Sequence, residues 1–216
     1  EPVRGADEAA GVPLGPVRHL VPALAAGREG GLPSEQLLSA LHLTRIDANV
    51  LLETQTVSPV TVDHWEALAE DYGQRQLVVP LDEFLADAAG DFSRLCGILG
   101  ARQPLDLQQR LYRVMAQMAG LIGFDLMGAG ALKESHGWYH TARLAAEETG
   151  DRHLKAWLMA CEGMTYFWDA NLTRRAAALC LEAEAMAGSG STQAGAFAAS
   201  IAARAYARIG ERTDAI

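Results

Sequence analysis

From Leu105 onward the chain alternates between apolar stripes of helix length and breaks of only a few residues. Leu107, Leu111, Val114, Met118 and Ile122 recur at three- and four-residue steps, the period of one helix face. That helix closes near Gly128 and Gly130. A second spans Ala131 to Thr149 and stops at Gly150, and Asp151 caps a third that reaches Trp168. Asn171 reads as the cap of a fourth, Leu172 to Ala187. Ser191 or Thr192 caps a fifth, ending at Gly210, and a sixth begins at Thr213 or Asp214. Connections this short make consecutive helices antiparallel neighbours. Alanine and leucine dominate, and both are among the cheapest residues to place in a helix, so the expected fold is all-α.

Upstream, Asp63-His64-Trp65-Glu66 has the spacing of a capping box. It predicts a helix with Trp65, Leu68 and Tyr72 on one face, ending at Gly73. Pro80 sits at a first-turn position ahead of Leu81, Phe84, Leu85, Ala88, Phe92, Leu95 and Leu99, and Gly100 stops that helix. Residues 1–59 hold many of the prolines and glycines and read as a tether with short helices near 34–42 and 47–52. The expected organisation is thus tether 1–59, linker helices 60–104 and helical repeats 105–216, truncated at the C-terminus. The chain opens on Glu1 and stops at Ile216 inside a helix pattern, so a piece of a longer protein is expected.

The helices repeat as pairs. Ala203, Tyr206, Gly210 and Ala215 place a small residue, an aromatic, a turn glycine and a second small residue in fixed order. Phe167, Asn171 and Ala176 stand in the same relation, as do Gly123, Leu126, Gly130 and Ser135, with units about 40 residues apart. Second helices carry Ser135, Tyr139, Ala142 and Ala176, Cys180, Ala183. A lone helix pair cannot bury its apolar face, so pairs stack, with small residues where backbones come closest. The pattern resembles the tetratricopeptide (TPR) motif, whose units are about 34 residues. The resemblance implies a TPR-like right-handed solenoid; an alanine-rich bundle with chance periodicity is the alternative.

Longer segments carry a second resemblance. Val62 to Gly73, Leu81 to Leu99, Leu121 to Leu126 and Ser135 to Asp151 are similar to the region after the DNA-binding domain in Xre-type helix-turn-helix regulators of actinomycetes. That resemblance implies a non-catalytic sensing and oligomerisation region of a transcriptional regulator, cytoplasmic and homodimeric. Residues 1–60 show no helix-turn-helix pattern, so DNA contact is expected only through a domain outside this chain. The alternative is a protein–protein scaffold without a DNA-binding role.

Charge points the same way. With 18 basic and 27 acidic side chains the formal charge is −9, which repels phosphates and anionic membranes. No apolar run approaches the roughly 18 residues of a membrane span. The three cysteines, Cys96, Cys161 and Cys180, have no metal-like spacing and suit a reducing compartment.

Chemistry has few candidates. His136 and His140 share a helix face, with His153, Cys161 and Glu162 as conceivable further ligands, but two imidazoles do not make a metal site. Asp82, Glu83, Asp87, Asp91 and Glu147-Glu148 read as solvated faces. Phosphate loops, nucleophile elbows and CxxC pairs are missing. Neither catalysis nor a cofactor is expected. Binding has more support. In the repeat register Phe124, Met127, Leu158, Cys161, Thr165, Trp168, Phe197, Arg204 and Arg208 face a concave groove that would take a peptide, a small molecule or a protein. Successive helical residues turn by about 100°, so Tyr166, Phe167 and Trp168 cannot all be buried on one side. Arg204 and Arg208, one turn apart, would either clamp a carboxylate or pair within the chain.

Overall fold

The computed structural model describes residues 57–210, apart from 170 and 189–191, together with 38–39, 41–43 and 45–46. The chain divides into two units, 1–55 and 56–216. The described residues of the first are helical, within the short helix expected near 34–42 and just past it. The helix expected at 47–52 and the one starting at Thr213 lie outside the described residues.

The described residues of the second unit form seven helices, and every regular element among them is helical. They are α1 (Pro59–Arg75), α2 (Leu81–Leu99), α3 (Leu105–Gly128), α4 (Leu132–Thr149), α5 (Arg152–Trp168), α6 (Thr173–Ala187) and α7 (Gln193–Ile209). Their ends follow local chemistry. Asp151 caps α5 by accepting from the His153 and Leu154 amides, and Thr192 caps α7 by accepting from Gly195. Gly150 and Gly210 close α4 and α7 at φ 67° and 83°, a left-handed backbone that costs an L-residue energy and glycine almost none.

Two caps differ from the sequence reading. The first helix starts at Pro59, not Asp63: Ser58 Oγ accepts from the Thr61 amide, and Pro59 fills the first turn, where its missing N–H is harmless. Asp63 and Glu66 therefore sit inside α1, which runs through Gly73 to Arg75. Asn171 does not cap α6; its backbone N–H donates to Asp169 Oδ1 at 2.9 Å, and the helix begins at Thr173.

Packing follows the small residues. Helix α3 lies along α4, α5 along α6, and α6 along α7. Helices α1 and α3, α3 and α5, and α5 and α7 also touch. The α3–α4 contact runs in reversed order. Ser135, early in α4, reaches Gly123, late in α3, while Ala116 and Ala119 meet Ala142, Ala145 and Ala146. Gly120, Gly123 and Gly163 mark the tightest approaches: a Cβ on each would press on Leu158 and Trp157, on Tyr139, and on Cys180. The stretch 60–104 packs into the same core as α3, through Trp65, Tyr72, Phe84, Leu95, Leu111 and Met118. Phe92 of α2 meets Trp138 of α4 edge-on at 5.0 Å.

Candidate functional site

Two hollows open on the side formed by α1, α3, α5 and α7. The first, of about 610 Å³, has one wall from α1 (Glu66, Ala69, Glu70, Gly73), whose spacing of three and four residues presents one helix face. Arg113, Gln117 and Leu121 of α3 form its floor, and Asp151, Leu154 and Trp157 close the far side. The second, of about 520 Å³, is lined by Leu121 and Phe124 of α3, Trp157 and Cys161 of α5, and Gln193, Ala196 and Phe197 of α7, with Gln76 at the edge. Leu121 and Trp157 belong to both, so the hollows adjoin as the two lobes of one trough.

The lobes differ in charge. Polar side chains in and beside the first are held by ion pairs. Arg110 bridges Glu66 through Nε at 2.9 Å and Nη2 at 2.6 Å, and Nη2 also reaches Asp63 at 2.6 Å. The Arg110 bond holds the Glu66 carboxyl below its ordinary value. Arg113 pairs with Asp151. Burial pushes the Asp151 carboxyl up, but the Leu154 and His153 amides and Arg113 outweigh it, and the net shift is down. Glu70 is exposed and meets no basic side chain among the described residues. Among the described residues, none that lines the second lobe carries a charged side chain. At its edge Gln76 donates to Asp125 Oδ1 at 2.9 Å and to the Leu121 carbonyl at 3.3 Å. Burial raises the Asp125 pKa.

Of the nine residues expected to face a groove, Phe124, Cys161 and Phe197 come together in the second lobe. Leu158 and Thr165 do not: both are 0% exposed, packed between helices. Leu158 is turned toward Gly120, and Thr165 lies within 3.4 Å of Ser135 Oγ. Met127 is also buried. Trp168 is 56% exposed but lies outside both linings, edge-on to Phe167. Tyr166 is buried and Trp168 is not, so the aromatic run splits as helical geometry requires. Arg204 and Arg208 stack on the Phe167 ring, at 5.0 and 5.2 Å, and Arg208 also donates to the Phe167 carbonyl at 2.7 Å. They brace α7 against the end of α5 and line neither lobe.

The expected groove residues left out Trp157 and Leu121, which join the lobes, and the whole α1 wall. Trp157 had a signal, since it precedes Cys161 by one turn on the same helix face. The α1 wall had none, because its pairing with α3 depends on Arg110 reaching back more than forty residues.

A separate polar cluster crosses the interface of α4, α5 and α6. His136 stacks on Tyr166 at 4.5 Å, and Arg175 covers that ring, also at 4.5 Å. Tyr166 donates to the buried Glu162 at 2.8 Å, and Arg143 reaches the second Glu162 oxygen at 3.1 Å. His140 is exposed. Among the described residues no group of three or more His, Cys, Asp or Glu side chains is placed to hold a metal, and no described helix is long and apolar enough to cross a membrane.

Comparison of the chain with protein-family models, curated proteins and solved structures found no match.

Proposed function

We propose that this chain is a non-catalytic binding module, a TPR-like right-handed solenoid whose trough holds a peptide, a small molecule or a protein surface. The observation that carries the proposal is the joining of two lobes through Leu121 and Trp157, with walls drawn from alternate helices. Stacked helix pairs make such concave surfaces because each pair touches mainly its neighbours. Each lobe has the size of a ligand pocket. The second lobe is lined mainly by apolar side chains and the first combines apolar and charged ones, the mixture of apolar surface and a few placed polar groups usual in a binding site.

The resemblance of segments of the chain to Xre-type regulators supports the role we propose: the sensing and oligomerisation region of a transcriptional regulator, acting as a homodimer. An occupant that prefers one stacking of the pairs would shift the population toward it, and so change the geometry of whatever the chain is joined to. Ala196 is exposed and lines the second lobe, so Ala196→Trp plugs the trough without entering the core. Ligands found by thermal-shift screening of the full chain should lose binding in that variant, and sedimentation should show a dimer whose shape or affinity changes on binding. Ligands that bind the plugged and native chains equally would refute the proposal.

A further inference from the structure

The asymmetry of the trough narrows what can occupy it. Around the first lobe stand four carboxylates, Asp63, Glu66, Glu70 and Asp151, against two guanidiniums, Arg110 and Arg113. Arg110 is shared between Asp63 and Glu66, Arg113 is held by Asp151, and Glu70 is left over among the described residues. That wall is net negative, and its open position is a carboxylate on an exposed helix face. The second lobe presents Phe124, Trp157, Phe197 and Leu121 with the amide groups of Gln76 and Gln193, and the one carboxylate described beside it, Asp125, is held by Gln76.

We propose, resting on the binding role above, that the occupant is a segment of a partner protein carrying a lysine or arginine at the α1 end and a bulky apolar side chain at the α7 end. Charge complementarity selects the first residue: a cation gains Glu70 and the spare lone pairs of Glu66 and Asp151, while an anion finds its attractive partners, Arg110 and Arg113, already engaged by those acids. Aromatic walls select the second, because a large apolar side chain there leaves water on every face. A chain segment suits the shape better than a compact molecule, since the lobes lie side by side and call for two different groups. Neighbouring helices are about 8–10 Å apart. The lobes are offset by one helix step, so an extended segment spans them with its two anchors about three residues apart.

The test uses the full chain and short labelled peptides of glycine, serine and alanine carrying one arginine and one tryptophan three residues apart. Companion peptides replace the arginine by glutamate or the tryptophan by alanine. Fluorescence anisotropy should show the arginine–tryptophan peptide binding about tenfold or more tighter than the glutamate peptide, with the gap narrowing at high salt. Glu70→Gln should weaken the cationic peptide about three- to fivefold and leave a neutral tryptophan peptide unchanged. Glu70→Lys should reduce or reverse the charge preference. Glu70 and Ala196 are exposed, and circular dichroism of each variant confirms that it folds. Equal or tighter binding of the glutamate peptide, or a charge preference that survives Glu70→Lys intact, overturns the inference. If small molecules bind the native chain and are lost in Ala196→Trp while no peptide shows a charge preference, the trough reading stands and only this inference falls.

Discussion

Ser135 Oγ donates a 2.7 Å hydrogen bond to the Gly123 carbonyl, with both residues buried between α3 and α4. The bond forms only because α3 has no side chain at position 123, where a Cβ would press on the Tyr139 ring. Ser135→Ala should lower the unfolding free energy by about 1 kcal/mol, the usual net value of one such bond. Ser135→Leu should cost about 1–3 kcal/mol or more by overpacking. Urea unfolding of the two variants checks both numbers, and a neutral Ser135→Leu would mean the pair is looser than described.

Gly163 and Cys180 meet so closely that an added Cβ would stand well inside contact distance of the thiol sulfur. Gly163→Ala should therefore destabilise by about 1–3 kcal/mol, although alanine alone favours a helix by about 1 kcal/mol. Adding Cys180→Ala should return part of the loss, because it removes the sulfur that clashes. Gly90 is the control: nothing stands within 4 Å of its Cβ position, so Gly90→Ala should stabilise by about 0.5–1 kcal/mol. Thermal melts of the three variants separate packing from propensity.

Cys161 and Cys180 are buried, and burial pushes both thiols up, Cys180 to about 12. Cys96 is exposed on α2, though burial raises its pKa too. Since the thiolate is the reactive form, native protein at mildly alkaline pH should release one equivalent with a disulfide reagent, slowly for an exposed thiol. All three cysteines of the chain should react in denaturant. Fast native reaction of more than one thiol would show that the α5–α6 contact opens readily.

Burial lowers the His136 pKa below its ordinary value; Glu162 and Asp169 pull it up, while Arg175 pushes the same way as burial. The unfolded chain then binds more protons at this position than the folded one, so stability rises with pH. This contribution is full above the ordinary value of 6.5 and is lost as pH falls from there through the lowered folded value. The depressed Glu66 and Asp151 carboxyls act in the same direction at lower pH, and the raised Asp125 opposes them. His136→Phe keeps a ring on Tyr166 and should flatten the slope of stability against pH just below neutrality, as measured by urea midpoints across that range.

How much was legible depends on how far each determinant reaches along the chain. Gly100, Gly150, Asp151 and Gly210 set helix ends through groups a few residues away, and the sequence alone located each of them; it placed Pro80 one position inside the helix it precedes and left Ser191 and Thr192 as alternatives for the cap that Thr192 forms. Ser58-Pro59 is an equally local signal, but the Asp63–Glu66 spacing mimicked a cap. Those two acids serve Arg110 on α3, a partner that no window of local sequence contains.

The groove expectation divides along the same line. Phe124, Cys161 and Phe197 reached the trough, while Leu158 and Thr165, on the same helix as Cys161, turned into the packing. Periodicity says that a helix has an apolar side; it does not say which part of that side a neighbour will cover. That was decided by the approach of α3 to α5 at Gly120 and by α1 closing the far wall. The sequence by itself determined the all-α class of the described residues, most of their helix boundaries and their small-residue contacts. Tertiary packing decided which aromatic and acidic side chains share a trough, because that depends on how helices distant in sequence cross, and side-chain volumes at the crossings set those angles.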